Sequence, residues 1–328
     1  FYTDGPKIHQ YLQELNENTF GKYDDVVTVG EMSSTTLENS IRYSNPESNE
    51  LSMIFSFHHL KVDYPSGNKW EIEPFRFHDL KKHLFTWQEE MEKGGGWNAL
   101  FWCNHDQPRI VSRIGNEKEY RVKSAKCLAT AIHGLKGTPY IYQGEEIGMT
   151  NAGYTSIDEY MDIESLNYYN ILKLQGKSEE EVIRILGAKS RDNSRTPMQW
   201  DASENAGFTK GTPWPKVCDR YKEINTESRH EPDSVFQYYK ELVKLRKELP
   251  VIQKGAVTPL LREDKEILAY KREYQGKELY VFCNFFDGEV KVPYSIPEDC
   301  KSILSNYGEE ISPKELVLRP YEAVMFLR

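Results

Sequence analysis

The sequence predicts an α/β fold, namely half of a (β/α)8 barrel followed by a small antiparallel all-β domain. Between residues 26 and 146, four short apolar runs each end in polar or ionisable side chains and alternate with helical segments. This order is typical of parallel strands joined by helical crossovers. From residue 251 onward the hydrophobic period changes to two, which indicates antiparallel strands.

The four predicted strands are rich in β-branched or aromatic residues. They are 26–31, which ends in Glu31; 53–57, which precedes His58; 97–102, which precedes Asn104, His105 and Asp106; and 139–142, which precedes Gln143. In an α/β barrel the carboxyl ends of the strands carry the chemistry. We therefore expect these polar side chains to lie around one pocket.

The predicted helices lie between and after these strands. Apolar residues at helical spacing predict helices over 8–15, 80–91 and 122–132, and the second of these ends at the glycines 94–96. Ser178 followed by Glu181 is a capping-box pattern that predicts a helix start at 179. A further helix over 235–245 is expected to end near Pro250.

Four strand and helix units make only half of a barrel, and a half barrel leaves two strand edges open. We therefore expect the other half to precede Phe1, which is not a natural first residue. On this basis residues 1–250 form the C-terminal half of a catalytic barrel, with an irregular insertion at about 151–233. Residues 251–328 form a β-sandwich-like domain, with strands expected at 259–262, 267–274, 279–285, 289–293, 301–305 and 316–327.

Composition narrows the classes of function. The net charge of −9, with both signs interspersed, argues against a nucleic-acid or anionic-membrane surface. No apolar run reaches the roughly 18 residues of a membrane span. Five cysteines without a CxxC pair predict reduced thiols and a cytoplasmic location. Nothing in the sequence points to a particular oligomeric state.

No metal or cofactor is predicted. The sequence contains neither an EF-hand loop nor a phosphate-cradling P-loop. His58 and His59 are adjacent, so on a strand they would point to opposite faces and would not form a metal pair.

Glu31 and Asp106 are the candidate catalytic residues. Glycoside hydrolysis uses two carboxyl groups, one as proton donor and one as nucleophile or base. A Glu buried among aromatic side chains keeps its proton at neutral pH, and we expect this of Glu31. His105 is a candidate hydrogen-bond donor to a substrate hydroxyl. The alternatives are a helix cap or a loop salt bridge for either carboxylate, and a structural role for His105.

Four ordered motifs that span almost the whole chain support a glycosidase. They are Val29 to Met32, Asn104 to Arg109, Gly137 to Glu146 and Arg191 to Trp200. Together they resemble the motifs of α-amylase-type glycoside hydrolases, and within these the oligo-1,6-glucosidase subgroup. The resemblance implies a retaining α-glucosidase whose barrel strands 5 to 8 lie in this chain.

The resemblance also implies roles for individual residues. Glu31 corresponds to the acid/base at the fifth strand. Asp106 corresponds to the carboxylate that stabilises the transition state, together with His105. Arg191 is expected to hold the hydroxyls of the terminal glucose.

One motif of the family has no counterpart here. The family's nucleophile is an Asp in a Phe-Arg-x-Asp motif at the end of the fourth strand, and no segment of this sequence matches it. Retaining chemistry needs two carboxyl groups about 5 to 5.5 Å apart. We therefore expect the nucleophile to lie upstream of Phe1 and the chain alone to be catalytically incomplete.

Three further segments bear on the substrate. Met32 to Thr36, Phe57 to Lys61 and Leu100 to Asn104 resemble the branch that hydrolyses trehalose 6-phosphate to glucose and glucose 6-phosphate. Relatives that act on neutral sugars typically carry acidic residues at the positions of His58 and Lys61. The expected partner is therefore a small phosphorylated disaccharide.

Lys61 and His58 are the candidate phosphate ligands, because charge-assisted hydrogen bonds to phosphate are strong. Lys69 is a weaker candidate, and for it alone a solvated loop charge is the favoured explanation. Two alternatives stay open at this point. One is an oligo-1,6-glucosidase acting on neutral isomalto-sugars, and the other is a non-catalytic amylase-like accessory protein.

Overall fold

The computed structural model describes residues 3–328, and its first part contains an array of four parallel strands. These are β1 (Val29–Met32), β2 (Met53–Ser56), β3 (Ala99–Leu100) and β4 (Thr138–Pro139). β1 pairs with β2 and β3 pairs with β4, both in parallel, and a bridge between Ile54 and Asn98 joins the two pairs. All four predicted strands are confirmed, in sequence order, although each is shorter than predicted.

Helices pack around this array, and their bounds are α1 (Ile8–Asn18), α2 (Leu37–Ser44), α3 (Phe77–Lys93), α4 (Ile110–Arg113), α5 (Arg121–His133), α6 (Ile163–Leu174), α7 (Glu179–Lys189), α8 (Val235–Glu248) and α9 (Pro250–Lys254). The helices predicted from periodicity are present. α2 was not predicted, although Thr36 caps it by accepting a hydrogen bond from the Asn39 amide. The helix predicted to end near Pro250 ends at Glu248, and Pro250 is the first residue of the next helix, α9.

The region predicted to be an irregular insertion contains two helices, α6 and α7, with a core of their own. Ser178 accepts a hydrogen bond from the Glu181 amide, as the sequence predicted for the start of α7. α6 begins at the N-cap Asp162. Its apolar residues do not keep to one face, since Ile163 and Leu174 are exposed, and periodicity therefore gave no signal for it.

The C-terminal part is all-β, as predicted. Its strands are β5 (Ala256–Leu260), β6 (Ile267–Tyr274), β7 (Lys277–Asn284), β8 (Val290–Lys291), β9 (Lys301–Ser305), β10 (Val317–Leu318) and β11 (Ala323–Leu327). Five form an antiparallel sheet in the order β5-β6-β7-β11-β9, and β8 pairs with β10. The strand predicted over 316–327 is wrong in one respect, because a turn divides it into β10 and β11. The domain boundary at residue 250 stays a prediction.

The five-stranded sheet has an apolar core on each face. Leu268 and Val281 belong to the core that includes Leu128 of α5, whereas Phe282 and Phe326 pack with Val292 on the other side. The sheet therefore shares a core with the helices of the first part, which fixes the two parts against each other.

Buried cations add to this attachment. The Lys81 ammonium on α3 donates to the carbonyls of Leu261 and Asp264, both at 2.6 Å, and to that of Ile267 at 3.1 Å. The Arg272 guanidinium on β6 donates to the carbonyls of Gly134 and Gly255. Bonding an ammonium or guanidinium to several carbonyls offsets the cost of burying its charge.

All five cysteines are buried thiols. Within residues 3–328 no helix combines the length and the apolar character that crossing a bilayer requires.

Candidate active site

Glu31 lies at the carboxyl end of β1, beside Phe55 of β2. It is exposed and lines a groove of about 520 Å³ together with Asp4, Lys7, Tyr11, Ser33 and Tyr43. The expectation that Glu31 is buried among aromatic side chains is therefore wrong. In the described residues β1 is the edge strand of the array, so Glu31 has a covering strand on one side only.

Asp106 lies in the loop after β3, so it is on the same side of the array as Glu31, namely at the carboxyl ends of the strands. Two arginines face its carboxylate: Arg195 Nη2 is 2.8 Å and Arg191 Nη1 is 3.7 Å from Asp106 Oδ1. His105 Nε2 is 3.6 Å from the same oxygen. The structure therefore brings together three of the predicted site residues, Asp106, His105 and Arg191.

Arg195 connects this carboxylate to the insertion. Its Nε donates to the His105 carbonyl at 2.9 Å, and its Nη1 donates to Asp162 Oδ2 at 2.5 Å. Because one rigid guanidinium holds both the His105 backbone and the Asp106 side chain, it limits the orientations that Asp106 can adopt.

Arg191 is held by a second acidic residue. Its Nε lies 3.0 Å from Glu164 Oε2, and the Lys69 ammonium is 2.6 Å from that same oxygen. Lys69 is thus paired with Glu164 and is not a solvated loop charge.

The loop that carries Asp106 is fixed by its neighbours. Asn104 Oδ1 accepts a hydrogen bond from the Asp106 amide at 2.8 Å, and the Ser194 hydroxyl donates to the Gln107 carbonyl. The Arg109 side chain is buried, donates to the Gln143 carbonyl at 2.5 Å and lies over the Tyr142 ring. These bonds join the loop after β3 to the loop after β4.

Lys61 lies on the loop that follows β2. Its ammonium donates to the Ser33 carbonyl at 2.6 Å and to the Ser34 hydroxyl at 2.8 Å. Ser33 and Ser34 come directly after the strand that ends with Glu31 and Met32. The structure therefore places Lys61 against the loop next to the candidate acid/base.

His58 and His59 lie in a helical turn and not on a strand. Their side chains point to different partners. His58 Nδ1 is hydrogen-bonded to Ser56 Oγ at 3.0 Å and its ring stacks on Trp87, whereas His59 Nε2 donates to the Phe101 carbonyl at 2.9 Å. Burial lowers the pKa of each imidazole to about 4, so both are neutral at pH 7. No cluster of metal ligands occurs among residues 3–328.

The segment after β4 contains a buried carboxyl group that was not predicted. Glu145 is buried and accepts a hydrogen bond from the Tyr239 hydroxyl at 2.7 Å. Burial raises the pKa of Glu145 to about 7. Its position at the strand tip was visible in the sequence, but nothing there distinguished it from Glu146.

Sequence reasoning also missed Arg195, Asp162 and Glu164. Arg195 had a signal, since it stands four residues after Arg191 in the same motif. Asp162 and Glu164 had none, because they face the site only through the folding of the insertion.

The groups around Asp106 suit a polyhydroxy part of a ligand that develops a transient positive charge. Asp106 offers a fixed anion, and Arg191 and His105 offer donors to hydroxyl groups. Among the described residues Glu31 forms no salt bridge, and it lies exposed on the edge strand of the array, where it can exchange a proton with a bound group.

Comparison with known proteins agrees with this chemistry. Residues 1–255 match the catalytic domain of the alpha-amylase family. The chain is 52% identical to the trehalose-6-phosphate hydrolase of Bacillus subtilis (strain 168) over 99% of its own length and 59% of that protein. It is 48% identical to the oligo-1,6-glucosidase of Halalkalibacterium halodurans, over 100% and 59% of the two lengths. The chain thus spans about three fifths of these curated relatives.

Solved structures give the same result. The crystal structure of Bacillus licheniformis trehalose-6-phosphate hydrolase matches at a TM-score of 0.95 and 55% identity, over 100% of this chain and 60% of that one. Isomaltulose synthase from Erwinia rhapontici NX5 matches at 0.90 and 35% identity, over 98% and 59%. The described fold is thus of the amylase type, with an all-β C-terminal domain. By its fold, its strand-end residues and the match over residues 1–255, the chain belongs to the alpha-amylase family of glycoside hydrolases.

Proposed function

We propose that this chain is part of a retaining α-glucosidase that hydrolyses trehalose 6-phosphate to glucose and glucose 6-phosphate. The observation that carries the proposal is the placement of Lys61, whose ammonium contacts the loop directly after Glu31. A cation beside the proton donor favours a leaving sugar that bears a phosphate.

In this proposal Glu31 protonates the oxygen of the leaving sugar and later activates water. Asp106 stabilises the oxocarbenium-like transition state, and its two arginine partners keep it oriented. His105 and Arg191 bind hydroxyls of the glucose that is transferred. The contacts of His58 with Ser56 and Trp87 favour a packing role for it, so Lys61 is the principal phosphate ligand that we propose.

The five thiols support a cytoplasmic location for this enzyme, which we include in the proposal.

We further propose that β1 to β4 are strands five to eight of an eight-stranded barrel, and that the 328 residues alone lack the nucleophile. Among the site residues described above, only Glu31 and Asp106 supply carboxylates to the reaction, and neither has the sequence context of the family's nucleophile. We expect the 328-residue chain to release no glucose from trehalose 6-phosphate above the level of a Glu31→Gln control. Coupled detection of glucose measures this, and release that depends on Glu31 would contradict the proposed incompleteness.

The phosphate assignment is tested by binding. Replacing Lys61 by Ala should weaken the binding of glucose 6-phosphate to the 328-residue chain by roughly ten- to a hundredfold, because a charge-assisted hydrogen bond contributes about 1.5 to 3 kcal/mol. Isothermal titration with glucose 6-phosphate and with glucose measures the difference.

Glucose binding should be unchanged by Lys61→Ala, and Lys82→Ala, which removes an exposed lysine of α3, should affect neither sugar. Equal affinity of the Lys61→Ala and unaltered chains for glucose 6-phosphate would rule out the phosphate assignment. If the Lys61→Ala and unaltered chains also bind isomaltose more tightly than glucose 6-phosphate, the second candidate is favoured, which is an oligo-1,6-glucosidase acting on neutral sugars. Identities of 48% and 47% to two such enzymes support it. The assembled Asp106, His105 and Arg191 count against a non-catalytic accessory protein.

A further inference from the structure

A buried ion cluster lies behind the candidate site, and its members are Asp63, Arg113 and Lys189. Asp63 accepts hydrogen bonds from Arg113 Nε at 3.0 Å and Nη2 at 2.6 Å, and from Lys189 Nζ at 2.8 Å. The three side chains are 6%, 3% and 4% exposed. The ring of Tyr64 lies about 5 Å from both cations. One carboxylate is therefore the shared counter-ion of two buried cations, and the cluster carries one net positive charge.

Each member belongs to a segment that carries a site residue. Asp63 stands two residues after Lys61. Lys189 is the last residue of α7, two residues before Arg191. Arg113 ends α4, the helix that follows the Asp106 loop. The cluster thus touches three segments that are far apart in sequence.

Further hydrogen bonds connect the cluster to these loops. Arg113 Nη1 donates to Gln107 Oε1 at 2.8 Å, next to Asp106, and Arg113 also donates to the Leu60 carbonyl, next to Lys61. Lys189 donates to the Asp63 carbonyl at 3.0 Å. The Ser194 hydroxyl donates to the Gln107 carbonyl, which joins the Arg191 loop to the Asp106 loop.

The physical cost of burying charge makes these links cooperative. Moving any one loop away would leave at least one buried charge without its partner, and such unpaired charges are strongly destabilising. The three loops consequently have one common fixed point, which lies behind the site and contacts none of the groups that we assign to substrate.

We propose that the cluster of Asp63, Arg113 and Lys189 is a positioning device that couples the loops of Lys61, Asp106 and Arg191, so that the phosphate and glucose sites are held in register. The coupling of the loops stands on the contacts alone, whereas the identities of the two ligands rest on the proposed function. All three members are positioning residues.

Hydrogen exchange in the 328-residue chain tests the coupling without a ligand. Lys189→Met removes one cation, leaves the Asp63 and Arg113 pair electrically balanced, and should keep the chain folded. Because Lys189 bonds both the carboxylate and the carbonyl of Asp63, we expect amides in 57–64 and 190–195 to exchange faster, by roughly tenfold if these loops lose about 1.4 kcal/mol of protection, with a smaller change in 103–109, which Arg113 still holds. Lys177→Met, which removes the half-buried pair with Glu181 at the start of α7, is the matched control and should change none of these segments.

Faster exchange confined to 186–195 in Lys189→Met would overturn the coupling. Lys189→Arg should restore slow exchange. Gln107→Ala, a half-buried substitution that keeps all three charges, should speed exchange in 103–109 while leaving 57–64 unchanged. It therefore tests the Arg113 link even if Lys189→Met does not fold, and unchanged exchange in 103–109 would count against that link.

The binding measurement separates this inference from the proposed function. If the loops are coupled, Lys189→Met should weaken both glucose and glucose 6-phosphate binding by a similar factor, whereas Lys61→Ala weakens only the latter. Coupled exchange with no effect of Lys61→Ala would overturn the phosphate assignment and support the coupling. Uncoupled exchange with a large effect of Lys61→Ala would do the reverse.

Discussion

Replacing Asp63 by Asn should lower the free energy of unfolding by about 3 to 5 kcal/mol, the usual cost of removing one partner from a buried ion pair. The substitution keeps the shape of the side chain but leaves Arg113 and Lys189 buried without a counter-charge. Although burial acts in the opposite direction, the Arg113 guanidinium and the Lys189 ammonium hold the pKa of Asp63 below its ordinary value, so the carboxylate is ionised at neutral pH. Urea denaturation followed by circular dichroism measures the loss.

The matched control for this prediction is Asp79→Asn. Asp79 pairs with Arg76 at the start of α3, but both side chains are more than a third exposed. Such surface pairs contribute about 0 to 1 kcal/mol, because water screens the charges. A similarly small loss for both variants would show that the Asp63 cluster is hydrated in solution, which would also remove the basis for coupling the three loops.

Replacing His133 by Phe should stabilise the protein increasingly as the pH falls. His133 is buried at the end of α5, and within the described residues neither ring nitrogen has a hydrogen-bond partner. Burial lowers the pKa of His133 to about 3. Its unfolded value is about 6.5, so between these values the unfolded chain binds a proton that the folded chain does not. Stability is therefore lost as the pH falls below about 6.5.

The size of this effect follows from linkage. One proton contributes about 1.4 kcal/mol per pH unit below the unfolded pKa, so the variant should gain roughly 2 kcal/mol over the unaltered chain between pH 7 and pH 5. Comparing the two chains at each pH cancels the contributions of other groups, including that of Glu145. The raised pKa of Glu145 has the opposite effect to the lowered pKa of His133, because it stabilises the folded state as the pH falls through about 7.

Urea denaturation at pH 7, 6 and 5 measures the difference for His133→Phe. The control is His78→Phe, which makes the same substitution at a histidine that is 62% exposed. A constant difference between the His133→Phe and unaltered chains would mean that His133 binds protons equally in the folded and unfolded chains, and it would contradict the prediction. The Phe ring can keep the edge-on contact with Tyr239 that the imidazole makes.

Local sequence was sufficient for the elements whose apolar pattern is strong. The four parallel strands follow from short apolar runs that end in polar side chains, because such strands are buried on both faces. The helices around 80–91 and 122–132 and the all-β C-terminal part follow from periodicity, because burial on one face imposes a period on the chain. Local sequence was insufficient for α6, whose apolar residues face several directions. It was also insufficient for the exposure of Glu31, which depends on which strand forms the edge of the array.

The candidate site divides in the same way. Position along the chain was sufficient to identify Glu31, Asp106 and His105 as groups at strand ends. Arg191 was identified because its motif resembles the same family. Only the tertiary structure decided that Arg195 orients Asp106, that Lys69 pairs with Glu164, and that Asp63 joins three loops. Asp63 lies 50 residues from Arg113 and 126 from Lys189. Electrostatic contacts over such separations leave no periodic trace in a sequence, since they depend on where the folded chain brings each charge.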